Sequence, residues 1–167
     1  MSRAFVKDDA ANEQVLVPPR AHLPPGTTNF VTSRGLALLN AELEDLKSQQ
    51  KVLESGFEEA TVRAPRLASL AEQIEALEDR IRTAKPVRPV DVPQDEVAFG
   101  ATVTVNIAGQ ERRFTLVGVD EASAQEGRVA FTAPIAQALM GHRVGDTVKL
   151  QTARDRQALK ILAIEYT

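Results

Sequence analysis

The chain has 167 residues, a formal net charge of -3, no cysteine, no tryptophan and two histidines. The lack of Cys excludes a disulfide framework, a thiol nucleophile and Cys-ligated zinc or iron–sulfur sites, and His22 and His142 are too isolated for a His-based metal cluster. Apolar residues at 43% and charged residues at 26% suit a globular protein, and no apolar run approaches the roughly 18 residues that crossing a membrane needs.

Nine prolines divide the chain. Residues 1–28 hold Pro18, Pro19, Pro24 and Pro25 and read as a flexible, polar N-terminal tail whose charges cancel. Residues 1–14 have no apolar core of a signal peptide, which predicts a cytoplasmic location. From residue 29 to residue 85 the periodicity is helical. Leu36, Leu39, Leu43, Leu46, Gln50 and Leu53 step by threes and fours, as do Leu67, Leu70, Ile74, Leu77, Ile81 and Ala84. This is the seam of a two-stranded coiled coil. Opposing 36 with 84, 39 with 81, 43 with 77, 46 with 74, 50 with 70 and 53 with 67 gives one constant point of reversal near Ala60. The spacing therefore predicts an antiparallel helical hairpin with its tip at residues 56–65, GFEEATVRAP. Thr32 or Ser33 caps the first helix, and Pro65 suits the first turn of the second. Gln50 is the polar interruption in the seam, a residue type that can fix register.

Pro86, Pro89 and Pro93 mark residues 86–95 as an extended linker. Residues 96–167 alternate as strands do. Candidate strands cover 102–107, 113–117, 128–131, 147–152 and 157–166, with a turn at Gly109–Gln110. A short helix runs from Pro134 to a stop at Gly141. The predicted fold is α+β in two domains: a coiled-coil arm, then a small antiparallel β-sheet with one short helix.

The chain shows neither a nucleophilic triad nor a glycine-rich phosphate loop. Two acidic places stand out. Glu58 and Glu59 lie at the tip, with Glu54 one turn earlier. Carboxylates on a projecting arm can be delivered into another protein's site to ligate Mg²⁺; the plain alternative is a solvated, polar hairpin end. Asp120 and Glu121 follow a strand and read as a turn-stabilising pair or as a second acidic site. Arg63 and Arg66 flank the tip. Residues 32–86 carry 8 basic and 10 acidic side chains, a balance of -2, so no polyanion-binding stripe is present. Ala133, Pro134, Ile135 and Leu139 open the short helix and are candidates either for the core or for a partner.

NFVTSRGLALLNAELEDLK at 29–47, with a Thr-x-x-Gly opening the first helix, resembles the start of the arm in the bacterial Gre-type transcript cleavage factors. VAFGATVTV (97–105), VGVDEA (117–122), APIAQALMG (133–141), VGDTV (144–148) and IEYT (164–167) are similar to motifs of their C-terminal domain. The resemblance covers residues 29–167. It implies an FKBP-like C-terminal domain that docks on the rim of the secondary channel of bacterial RNA polymerase, and an arm that enters the channel. Docking then maps onto Thr132, Ala133, Pro134 and Ile135, with Thr132 where the family often has a polar or acidic residue. In the cleavage factors, acidic tip residues help hold a polymerase-bound Mg²⁺. Their tip pattern, Asp-Leu-x-Glu-Asn-Ala-Glu-Tyr, is absent here, and the arm is shorter.

The reading that follows is a monomeric regulator of transcription elongation. It binds RNA polymerase, meets nucleic acid only through the elongation complex, touches no membrane, and needs no metal or cofactor of its own. It is not an enzyme and does not cleave transcripts efficiently. Glu54, Arg63 and Arg66 are its RNA-proximal candidates. The competing readings are an active cleavage factor using Glu58 or Glu59, an FKBP-like prolyl isomerase, and a coiled-coil adapter unrelated to polymerase.

Overall fold

The computed structural model describes residues 19–167; what the sequence suggests for residues 1–18 lies outside the described residues. The heptad seam forms two helices, α1 (Ser33–Ser55) and α2 (Ala60–Thr83). α1 starts because the Thr32 hydroxyl accepts the Gly35 amide hydrogen at 2.9 Å, satisfying a first-turn donor. It stops where Gly56 turns extended. The four residues from Gly56 to Glu59 reverse the chain, so the helices are antiparallel neighbours. Leu39, Leu46, Ile74 and Leu77 are buried between them, flanked by Leu36, Leu43, Leu70, Ile81 and Ala84. Each buried Leu or Ile adds about 1.5–3 kcal/mol to the seam. The arm is roughly 33 Å long, at about 1.5 Å per residue over α1.

The tip differs from its predicted extent. The turn is 56–59 rather than 56–65, because α2 begins five residues before Pro65. The Val62 and Arg63 amides bond the Glu59 carbonyl at 3.0 and 2.9 Å, which closes a first turn ahead of the proline. Pro65 costs one hydrogen bond, to the Thr61 carbonyl, and Thr61 is exposed to water that can replace it. The distal seam is looser than its spacing suggests. Leu53 and Leu67 are only half-buried and lie outside the main cluster, on the tip side of Gln50.

At the base of the arm, β1 (Phe30–Val31) runs parallel to β2 (Lys85–Pro86). The Asn29 side-chain amide donates to the Arg80 carbonyl at 2.9 Å and ties the two helix ends together. The segment read as an extended linker is partly structured, since Pro89–Asp91 form a short 3-10 turn and Arg88 grips the Asp91 carboxylate at 2.9 and 3.0 Å.

The C-terminal part is a five-stranded sheet of β3 (Thr102–Ile107), β4 (Gln110–Val117), β5 (Arg128–Ala130), β6 (Thr147–Gln151) and β7 (Arg156–Glu165), in the order β5-β4-β3-β7-β6. Helix α3 (Pro134–Leu139) packs on it. Val103, Val105, Leu116, Ala136, Leu139, Leu159 and Ile161 form the fully buried centre. One pairing departs from the antiparallel expectation: β4 and β5 are parallel. Residues 118–127 make two short 3-10 turns that carry the chain back beside Thr115, so that β5 runs along the last three residues of β4, and Ser123 bridges to Arg128.

The β3–β4 turn is Ala108–Gly109, one residue earlier than predicted, and both residues have positive φ, 51° and 82°. That is a primed two-residue turn, which favours Asn or Gly at its first position. Ala108→Asn is expected to raise stability by about 0.5–1 kcal/mol, measured by urea unfolding. At the far end of the sheet the Tyr166 hydroxyl donates to the Glu96 carbonyl at 2.6 Å and accepts the Ala98 amide hydrogen at 2.9 Å. Burial is the main reason its pKa is raised above the ordinary tyrosine value. The fold therefore favours the neutral phenol. Its contribution is complete below about pH 10 and is lost as the pH climbs through the raised value. Tyr166→Phe is expected to cost about 1–2 kcal/mol at pH 7 and to flatten this alkaline decline in an unfolding series.

A second correction concerns residues 20–28, expected as part of a free tail. They are fastened to the folded protein. Leu23 packs on the cluster of Phe99, Val119 and Phe131, and Arg20 bonds Glu42 and Asp120. The prolines here give the segment its extended path without freeing it.

Candidate functional site

Three places hold the candidate residues: the joint at the base of the arm, the tip, and the start of α3. The joint is built around Asp120 and Glu121. Both lie in the 3-10 turn that follows β4. Glu121 has a side chain only 2% exposed. It accepts from the Thr32 hydroxyl, from Arg34 at 3.1 Å and from Arg128 at 3.0 Å. Thr32 and Arg34 belong to the start of α1, Arg128 to β5. One buried carboxylate thus fixes the first arm helix to the sheet. A β-carbon at Gly35 stands 2.8 Å from the Glu121 Oε1, so only glycine lets the carboxylate come this close. The Thr-x-x-Gly noted in the sequence is the receptor for Glu121. Asp120 does the same for the second helix: it accepts from Arg80 of α2 at 3.1 Å and from Arg20 at 3.2 Å. Beside these pairs, Phe30 of β1 packs with Phe99 and Phe131, ring centroids 5.5–5.8 Å apart.

At the tip the predicted residues do not converge. Arg66 holds Glu58 at 3.1 Å, and Arg63 donates to the Gly56 carbonyl at 3.2 Å. Glu54 and Glu59 are exposed, Glu59 as the residue that opens α2 without capping it. Phe57 is fully exposed between them. Among the described residues no three His, Asp or Glu side chains form a metal-sized group.

At the start of α3, Ala133 is extended and Pro134 occupies the first helical turn. The Ala133 amide donates to the Ala130 carbonyl at 2.9 Å, and the Gln137 side chain donates to the Phe131 carbonyl at 2.7 Å, so this corner is rigid. Pro134 is exposed and Thr132 and Ala133 are half-buried; Ile135 leans on the sheet core, and Leu139 is wholly inside it. The four residues expected to dock, 132–135, are consecutive in the chain, and only Pro134 among them is exposed.

Residues 92–166 match the family model described as transcription elongation factor, GreA/GreB, C-term. Residues 92–166 are thus similar to the C-terminal domain of the GreA/GreB family. A transcription elongation factor GreA from Streptococcus pneumoniae (strain G54) is 41% identical over 97 residues, which are 57% of this chain and 61% of the relative. The GreA of Syntrophotalea carbinolica is 33% identical over 96 residues, 56% of this chain and 61% of its own. The matched segment thus spans about three fifths of the length of these relatives. Among solved structures, GreA factor homolog 1 of Thermus thermophilus aligns with 83% of this chain and 99% of its own at 21% identity, with a TM-score of 0.39. The GreA/GreB factor from Nitrosomonas europaea aligns with 82% of this chain and 98% of its own at 20% identity, with a TM-score of 0.41.

The two acids inside the VGVDEA stretch, Asp120 and Glu121, are the contacts that hold the arm's two helices. Reading those acids as a turn pair missed their partners Arg20, Arg34, Arg80 and Arg128. Arg20, Arg34 and Arg80 come from distant parts of the chain, and no local signal points to them.

Proposed function

We propose that the chain is a regulator of transcription elongation that binds bacterial RNA polymerase, as a cytoplasmic monomer, and does not stimulate efficient transcript cleavage. The observation that carries this reading is a Gre-type C-terminal domain whose own Asp120 and Glu121 hold a helical arm. Thr132, Ala133 and Pro134 form the docking edge at the secondary channel, and Ile135 anchors that edge to the sheet. The clamped base sets the direction in which the arm projects into the channel. At the tip, Arg66 neutralises Glu58, which leaves Glu59 without a converging partner carboxylate. A bound arm of this kind obstructs the channel and contacts nucleic acid only inside the elongation complex. Phe99 and Phe131, which a prolyl isomerase needs in an open pocket, are packed on Phe30 in the joint.

The test is a binding and cleavage experiment on backtracked elongation complexes. The wild-type chain is expected to co-purify with polymerase and to leave RNA length unchanged. Pro134→Glu keeps a residue that a helix N-terminus welcomes. It is expected to weaken polymerase binding about tenfold or more, equivalent to about 1.4 kcal/mol, with an unchanged unfolding midpoint. Absence of co-purification overturns the polymerase reading. RNA shortening that Glu59→Ala abolishes replaces the regulatory reading with the cleavage one.

A further inference from the structure

The acidic chain carries one strongly basic surface, and neither the joint nor the docking edge uses it. Residues 147–160 hold Lys149, Arg154, Arg156 and Lys160 against Asp155 alone, a balance of +3 in a chain whose total is -3. They form the hairpin of β6 and β7, with β6 at the edge of the sheet. All four basic side chains are exposed. Among the described residues none of the four is ion-paired, whereas Arg20, Arg34, Arg80 and Arg128 at the joint are all held by carboxylates. The Asp155 carboxylate accepts the Arg156 backbone amide at 3.0 Å instead of a guanidinium.

The register puts the charges on one face. Lys160 stands opposite Thr147, Ala158 opposite Lys149 and Arg156 opposite Gln151. Val148, Leu159 and Ile161 point the other way, into the core where α3 packs. Lys160, Lys149 and Arg156 therefore zigzag down the outer face, diagonal neighbours about 7–8 Å apart. Arg154 extends the line at the turn, which the Thr152 amide and hydroxyl close by donating to the Asp155 carbonyl at 2.8 and 3.0 Å. From Lys160 to Arg156 the row covers about 13 Å, at about 3.3 Å per residue. Between the charges this face offers Thr147, Gln151 and Ala158, with no aromatic ring and no large apolar side chain. Glu111 is on the row of Lys160 but two strands away, beyond Asn106.

We infer that this hairpin face binds the phosphate backbone of a nucleic-acid duplex, a contact separate from any the arm makes. A polyanion is the partner whose charge the face complements. Over about 13 Å each strand of a duplex presents about four phosphates, one per roughly 3.4 Å of axis, and the hairpin presents four cations. Thr147 and Gln151 add neutral donors for phosphate oxygens. Unpaired bases do not suit the face, because stacking needs aromatic rings that it lacks. A protein surface suits it less well, because such interfaces centre on aromatic or apolar anchors in desolvated pockets. Backbone contacts of this kind carry no choice of sequence. Helix α3 packs on the opposite face of the sheet, so a duplex on the hairpin leaves it uncovered.

The test is fluorescence anisotropy of a labelled DNA duplex, about 20 base pairs long, titrated with the isolated full-length protein; its outcome is separate from polymerase binding. Four phosphate contacts give log affinity a slope of about -3.6 on log salt, so affinity is expected to fall about 100-fold between about 25 and 100 mM salt. Lys149→Glu with Lys160→Glu is expected to weaken binding about tenfold or more at the lower salt and to flatten the slope by about two. Lys51→Glu with Lys85→Glu makes the same change of net charge at exposed sites off the hairpin. It is expected to change affinity about twofold at most, as only long-range attraction is altered. Arg154→Ser with Arg156→Ser, which adds no acid, is expected to flatten the slope as the hairpin lysines do. Absence of binding at about 25 mM salt overturns the inference. Equal losses in the hairpin and arm variants overturn it too, since net charge alone then explains them, as does tighter binding of the unpaired single strand. Hairpin variants that keep duplex binding and lose co-purification with polymerase also overturn it, and make the partner an acidic protein surface.

Discussion

Glu121→Ala is expected to lower the stability of the chain by about 3 kcal/mol. The carboxylate is buried and receives three donors, and removing one partner of a buried pair costs about 3–5 kcal/mol because the others are left unpaired. The lower end applies, because Arg34 is nearly half exposed and water takes over its guanidinium. At about 2–4 °C per kcal/mol for a chain of this size, the midpoint falls by roughly 6–12 °C. Glu121→Gln keeps one acceptor oxygen and the shape, and is expected to lose about half as much. Gly35 provides the sharper check. A β-carbon there meets the Glu121 carboxylate at 2.8 Å, and three donors pin that carboxylate in place. Gly35→Ala is therefore expected to cost about 1–3 kcal/mol in the wild-type chain and close to nothing, or to stabilise α1, in the Glu121→Ala chain. Urea unfolding of the four chains closes this cycle. Additive costs would mean that Gly35 and Glu121 are not lock and receptor.

The arm was legible because its information is periodic. Leucines at three and four residue steps leave one geometry that buries them, and Leu39, Leu46, Ile74 and Leu77 are buried together. Helix α3 was legible for a different reason: Pro at the first turn and Gly after the last are local signals that act on neighbouring residues. What periodicity does not carry is the strength of competing local terms. Pro65 looks like a helix start, yet the Glu59 carbonyl finds two amides ahead of it, and the exposed tip tolerates one lost bond. The parallel β4–β5 pair depends on how residues 118–127 cross, which no strand pattern encodes. The joint was half legible. Thr32, Gly35, Asp120 and Glu121 all stood out singly, but 85 to 89 residues separate the two sides, and only the fold brings Arg34 and Arg80 to the acids. The same holds for Arg20, whose place in a proline-rich segment suggested a solvated charge.

Phe131→Ala is expected to cost about 4 kcal/mol, more than the clamp. The ring is buried and meets Phe99 and Phe30 edge-on, at 80° and 67°, with centroids 5.5 and 5.7 Å away. Deleting a buried Phe costs about 3–5 kcal/mol, from lost transfer energy and from the cavity left behind. The edge-to-face geometry contributes about 0.5–1.5 kcal/mol to each pair within that range. Phe131→Leu, which refills most of the volume, is expected to cost about 1–2 kcal/mol, so the series stays measurable even where the alanine chain unfolds. The position joins two parts of the proposed function. Phe30 is the arm's contribution to the trio, while Phe131 directly precedes the docking edge and its carbonyl holds Gln137 of α3. Loosening the ring therefore acts on the arm and the edge at once. In Phe131→Leu, amides of residues 30–35 and of 132–137 are expected to exchange faster together, whereas in Glu121→Ala only the first set changes. A Phe131→Leu chain in which the 132–137 amides stay protected while 30–35 open would show that the docking edge is held by α3 alone. The arm's aim and the edge's shape would then be independent, and polymerase affinity would follow Pro134 without following the joint.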